Sequence, residues 1–196
     1  MPSFIESGLE ENDSFKSRAD TFKKQDCREL VDASKKIVPK MIPAGPIVLS
    51  SWDATMLNWP GVTIVNVLDS PIDVQRMEMA MQSLVNANPI LAGRLGGDEK
   101  NGFVVKFSSE SGAIFTVKNM DNEAVQTLSR ASPSLVPSKI IEWLPVTSKL
   151  VSFTADGHTQ LNNADAPLTT LVITQGTELC TVSLSVSHMI ADGWVR

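Results

Sequence analysis

The chain has no tyrosine, two histidines and two cysteines in 196 residues. The missing tyrosine removes one of the usual side chains for acid, base or nucleophilic work. Cys27 and Cys180 stand far apart, which excludes a disulfide scaffold and a paired-cysteine metal knuckle. Lone cysteines of this kind read as small buried apolar residues, and their scarcity suits a reducing, cytoplasmic setting. No apolar run approaches the ~18 residues of a membrane span. The start, Met1-Pro2-Ser3-Phe4-Ile5-Glu6, lacks the basic region and apolar core of a secretory signal. The net charge is −5 and no basic block occurs, which argues against a nucleic-acid surface. Internal repeats and low-complexity tracts are absent as well.

What is present is ordinary globular material. The chain is 42% hydrophobic and 20% charged, enough for a core and too apolar for wholesale disorder. Its length suits one domain or half of something larger. Residues 1–45 form the most polar stretch, and 1–35 read as an arm. A weak helical pattern runs from Leu30 to Val38, where the chain becomes ordered, and Pro39, Pro43 and Pro46 end it.

Gly61 to Leu68 is β-branched and apolar on both sides, the pattern of a strand covered on two faces. A helix follows. Ser70 can cap it, Pro71 fits its first position and Asp73 suits a capping box. Its apolar stripe is Val74, Met77, Met81 and Leu84, and Asn88-Pro89 closes it. Ile90 to Leu95 reads as a short strand or extended turn. Phe103 to Phe107 reads as a strand, with Ala113 to Val117 as its hairpin partner. A helix is expected over 122–129, and Asp156-Gly157-His158 reads as a turn with His158 exposed in it. Leu168 to Thr174 and Leu179 to Ser187 are two strands joined by a turn at Gln175-Gly176-Thr177-Glu178. In the second, Cys180, Val182, Leu184 and Val186 alternate with Thr181, Ser183, Ser185 and Ser187, and one further step of the period puts His188 on the apolar face. The order of elements predicts an α+β two-layer sandwich with a mixed sheet.

One constellation carries chemistry. His188 leaves the last strand and is followed by Met189-Ile190-Ala191-Asp192-Gly193. A His-x-x-x-Asp-Gly string is expected only ~0.01 times by chance in this composition, which makes it moderately specific. An imidazole at a strand end can take a proton from a hydroxyl or amine as that group attacks a carbonyl. Asp192 can orient the ring or brace the turn, and Gly193 permits a tight bend. The same residues also fit a buried, hydrogen-bonded histidine with Asp192 capping a following helix.

The segment Ser187-His188-Met189-Ile190-Ala191-Asp192-Gly193 resembles the active-site motif of the BAHD family of acyl-CoA-dependent acyltransferases. Two further blocks agree in order: Val48-Leu49-Ser50-Ser51-Trp52-Asp53, and Asn88-Pro89-Ile90-Leu91-Ala92-Gly93-Arg94-Leu95. The resemblance covers roughly 35–196. It implies half of a chloramphenicol-acetyltransferase-like fold over 36–196, with His188 as the general base that deprotonates an alcohol or amine acceptor. It implies Asp192 and Gly193 as structural motif residues, Asp192 pairing with an arginine, and no catalytic part for Arg94. Acyl-CoA would be a co-substrate, with no permanently bound cofactor and no metal. Ser187 stands where related condensation-type enzymes carry a second histidine.

The family's second half, with its aspartate-phenylalanine-glycine-tryptophan-glycine motif and much of the CoA site, has no counterpart before Arg196. The expectation is therefore a fragment of a longer acyltransferase, inactive alone because half a tunnel orients neither substrate. The alternative is a non-catalytic interaction module or half-length pseudoenzyme. An uncovered sheet of that kind would pair with another chain or with itself.

Overall fold

The computed structural model describes residues 33–119, 154–176 and 179–191, all within the unit Val31–Arg196. Two sheets organise them. The larger has the order β1-β6-β7-β8-β3, from Ala33–Ile37 (β1), Ala113–Asn119 (β6), Thr169–Gln175 (β7), Cys180–Val186 (β8) and Val62–Leu68 (β3). The β6–β7 pair is parallel and the other pairs are antiparallel, so the sheet is mixed. The smaller has the order β2-β5-β4, from Ile47–Val48 (β2), Gly102–Lys106 (β5) and Arg94–Asp98 (β4). Three helices accompany them: α1 (Ser51–Ala54), α2 (Val74–Ala87) and α3 (Gly157–Asn162).

Helix α2 lies over β1 and β6 and forms the second layer. Its cap is Asp73, whose carboxylate accepts the Arg76 N–H at 3.0 Å, so Ser70 is not the cap. Val85 is buried where the periodicity placed Leu84; Leu84 is 39% exposed, one step around the helix. Met81 and Val85 pack on Ala113, Phe115, Val117, Leu171, Ile173 and Cys180. A second core gathers Leu57, Leu95, Phe103, Val105, Leu168 and Met189 beside the smaller sheet.

Several local expectations change. Residues 33–37 are a strand, because Ser34 to Ile37 find a partner edge in β6 that overrides a weak helical period. Among the described residues β3 is an edge strand, with Ile64 57% and Val65 39% exposed, so its apolar run is not covered on both faces. β6 does not form a hairpin with β5; it joins the other sheet between β1 and β7. Residues 89–92 form a 3-10 turn before β4. Asp156 begins helix α3 rather than a simple turn: its carboxylate accepts the Thr159 N–H at 2.9 Å. His158, on that helix, is exposed as expected. The β7–β8 hairpin is as expected, with Thr169 paired to Val186 and Gln175 to Cys180. Residues 1–32 of the arm expected over 1–35, Cys27, the helix expected over 122–129, and Asp192 and Gly193 lie outside the described residues, and 33–35 of that arm belong to β1. No helix among the described residues is long and apolar enough to cross a membrane.

Candidate functional site

The β8 period behaves unexpectedly. Val182, Leu184 and Val186 are half-buried, whereas Thr181, Ser183 and Ser185 are 0% exposed. The hydroxyl face is thus the deeper one near the end of the strand. Ser185 Oγ accepts from Thr63 Oγ1 (2.8 Å) and from the Thr154 N–H (2.9 Å), which ties β3, β8 and the segment before α3 together. Gly61 is what allows this approach. A Cβ there would stand 1.7 Å from Thr154 Oγ1 and 2.7 Å from the Val186 carbonyl oxygen, so no other residue fits without backbone movement.

At Ser187 the strand has ended but the side chain is still held. Its N–H donates to the Leu168 carbonyl (2.7 Å), and its hydroxyl donates to Gln160 Oε1 (2.7 Å). Its Oγ in turn accepts the Met189 N–H at 3.3 Å. Gln160 is 1% exposed and its Nε2 donates to the Pro167 carbonyl. Helix α3 is therefore a brace for the motif, itself seated by the Gly157 N–H on the Leu57 carbonyl at 2.9 Å. Met189 is fully buried in the second core. His188 is fixed from both sides, by a hydrogen-bonded serine before it and a packed methionine after it.

The chain turns over residues 188–190, so the strand parity stops at Val186 and does not place His188. The correction is specific: Met189, not His188, enters the apolar interior. The His188 ring is half-buried and meets the Trp59 ring edge-on, with centroids 5.5 Å apart and planes at 68°. Its Nδ1 is buried with no hydrogen-bond partner among the described residues. Nε2 is the other ring nitrogen, in a residue that is partly exposed as a whole. Trp59 is itself 57% exposed and flanks the histidine at the surface.

The other blocks singled out in the sequence have structural explanations. Ser50 to Asp53 is a capping box: Asp53 accepts the Ser50 N–H at 2.7 Å while Ser50 Oγ accepts the Asp53 N–H at 3.2 Å. This holds the start of α1, whose C-terminal continuation carries Trp59 toward His188. Arg94 is 9% exposed and donates from Nη1 to the Gly93 and Gly112 carbonyls, at 2.8 and 2.9 Å. Burial lowers its guanidinium pKa, and the Asp165 carboxylate raises it back in part. Arg94 thus joins β4 to the entry of β6, away from His188. Cys180 is buried as a small apolar residue, and desolvation pushes its thiol up to about 11. Among the described residues no group of three or more histidines, cysteines or carboxylates is placed to hold a metal.

Gln160 and Trp59 were not legible as site residues. The Asp156-to-Thr159 spacing signals a helix start, which would have put Gln160 in a first turn, but its contact with Ser187 crosses 27 positions of sequence.

Comparison with solved structures supplies the wider frame. Vinorine synthase matches over 82% of this chain and 38% of its own, at 17% identity and a TM-score of 0.50. The chain thus shares the mixed-sheet α+β fold of a chloramphenicol-acetyltransferase-like half domain. A TRI101 protein of F. sporotrichioides, solved with coenzyme A and T-2, matches 74% of this chain and 36% of its own at 15% identity, with a TM-score of 0.46. The nonribosomal peptide synthetase FmoA3 matches 81% of this chain and 15% of its own at 16% identity, with a TM-score of 0.47. The chain spans less than two-fifths of the length of each of these structures. No protein-family model and no curated protein matches the sequence.

Proposed function

We propose that this chain is the base-bearing half of an acyltransferase that moves an acyl group from acyl-CoA to a small alcohol or amine, with His188 as general base. The carrying observation is the clamped, partly exposed His188, held between buried Ser187 and buried Met189 just past the end of β8. A rigid backbone with an accessible ring nitrogen is what proton abstraction needs, since the base must lie within hydrogen-bond reach of the proton it removes. The reaction balances without a further reagent. The acceptor O–H or N–H proton passes to His188 while its lone pair attacks the thioester carbonyl carbon. The tetrahedral adduct then collapses, the C–S bond breaks, and the imidazolium returns the proton to the leaving thiolate. Asp192 and Gly193 are assigned the structural role of shaping the turn after the histidine.

The test is thiol release from acyl-CoA with a panel of primary alcohols and amines. It is run on the chain alone and on the chain extended through whatever coding sequence follows Arg196. The chain alone is expected to release no thiol above buffer, because donor and acceptor are not both oriented. The extended protein is expected to turn over, with a loss of about 10²-fold or more in His188→Ala. Equal turnover in His188→Ala would refute the reading.

The exposed β3 edge favours a second reading, an interaction module that pairs through its sheet. Among the described residues β3 is hydrogen-bonded on one side only, and Ile64 and Val65 are exposed on it. Such an edge templates strand addition, and an edge lysine discourages it. A concentration-dependent dimer in analytical ultracentrifugation, lost in Val65→Lys and kept in His188→Ala, would support this reading. A monomer at every concentration would remove its basis.

A further inference from the structure

A cleft of about 540 Å³ opens beside Leu161 of helix α3, between β4, β5 and the turn at residues 108–111. Its lining includes Arg94, Lys106, Ser108 and Ser111 and no carboxylate, in a chain whose net charge is −5. Each polar group has donor capacity left over. The Arg94 guanidinium spends only Nη1 on the Gly93 and Gly112 carbonyls, so Nε and Nη2 make no hydrogen bond among the described residues. Asp165 acts on Arg94 through space and forms no ion pair with it. The two serines close a reciprocal loop. The Ser108 N–H donates to Ser111 Oγ at 3.2 Å, the Ser111 N–H donates to Ser108 Oγ at 3.1 Å, and the hydroxyls lie 2.9 Å apart. One hydroxyl proton is used between them and the other remains to be donated.

Gly96 positions the second cation. A Cβ there would stand 2.8 Å from Lys106 Cε and 3.0 Å from its Nζ, so the bare backbone lets the lysine lie flat across the strand at the cleft. The apolar wall is Phe107 and Leu161. Two cations and a hydroxyl converging from β4, β5 and the 108–111 turn suit a tetrahedral anion, which accepts charge-assisted bonds from several directions. The volume is that of a small-molecule pocket, larger than an inorganic anion needs, and one wall is apolar.

We propose that this cleft is a binding site for the phosphate monoester of a small organic molecule, with the phosphate on Arg94, Lys106 and the Ser108–Ser111 pair and the organic remainder against Phe107 and Leu161. The site is separate from His188 and does not depend on the acyl-transfer reading.

The experiment is isothermal titration of the full chain with inorganic phosphate, glucose 6-phosphate and adenosine 3′-monophosphate, against potassium chloride at matched ionic strength. Saturable binding of the phosphates, tighter for an ester than for inorganic phosphate, is expected, and the tighter ester tells whether the remainder is sugar or nucleoside. Lys106→Gln, an exposed side chain whose loss leaves the core intact, is expected to weaken binding about tenfold. Gly96→Ala keeps both charges and displaces only the ammonium, so it is expected to weaken binding in the same direction by a smaller factor. His188→Ala should bind as the parent does. Heats no larger than those of chloride, unchanged affinity in both Lys106→Gln and Gly96→Ala, or loss of phosphate binding in His188→Ala would each overturn the proposal.

Discussion

The hydrogen bond between Ser187 and Gln160 is open to a quantitative test, because it can be removed from either end without touching His188. Gln160→Leu keeps roughly the side-chain volume, so the cavity contribution is small. What it removes is the 2.7 Å acceptor of the Ser187 hydroxyl and a longer bond to the Pro167 carbonyl. Both side chains are 1% exposed, so water does not replace the partner. An unsatisfied buried hydroxyl costs about 1–3 kcal/mol. Ser187→Ala strands Gln160 Oε1 instead and deprives the Met189 N–H of its acceptor, at a similar cost. The double variant loses both ends of one bond, so its destabilisation should fall short of the sum by about 1–2 kcal/mol. For a chain of this size each kcal/mol corresponds to about 2–4 °C in Tm. Urea unfolding followed by circular dichroism gives the four free energies, with an unchanged slope as the check that two-state behaviour holds. If the two losses add to within about 0.5 kcal/mol, the brace on the histidine segment does not exist as described.

Three further outcomes follow from single residues. Gly61→Ala should destabilise by about 2 kcal/mol or more in the same unfolding assay, since its Cβ meets Thr154 Oγ1 and the Val186 carbonyl well inside contact distance; a neutral result would mean that the β3 entry is looser than it is drawn. Ser183→Ala, at a fully buried hydroxyl with no hydrogen-bond partner among the described residues, should be neutral or stabilising, by up to about 1 kcal/mol, and a loss of several kcal/mol would reveal a partner. In a Cys27→Ser background, Cys180 should resist a thiol reagent at pH 8 until denaturant is added. Its folded pKa is raised to about 11 from about 9, so the unfolded chain releases this proton first. Its contribution to stability is therefore intact below about pH 9 and falls as pH rises toward about 11, and fast labelling of the folded chain at pH 8 would contradict the burial.

Much of the framework was legible along the chain, for reasons that are local. The β7–β8 hairpin and β3 announce themselves by β-branched runs and turn residues, and α2 by its period and its Asn88-Pro89 stop. The Ser50–Asp53 capping box and the position of His188 just past a strand are matters of spacing within a few residues. What failed was the type of short elements, at 33–37, 89–92 and 157–162, and strand partnership. Whether β6 pairs with β5 or with β7, and whether β3 is an edge, depends on which strands the folded chain brings alongside, and nothing within Ala113–Val117 or Val62–Leu68 encodes that.

The sequence by itself determined the types of the longer elements, β3, α2, β7 and β8, and singled out one histidine, because period, capping and turn chemistry act over a few neighbouring residues. Tertiary structure alone decided how that histidine is held. The clamp needs Gln160 from α3 against Ser187, Trp59 beside the ring, and Gly61 giving way to Thr154, all groups distant in sequence. It also set the burial along β8, since the hydroxyl face meets Thr63 and Thr154 at close range while Val182 and Leu184 on the other face stay only partly covered beside the α2 core. Periodicity tells which residues share a face, and only packing tells what that face meets.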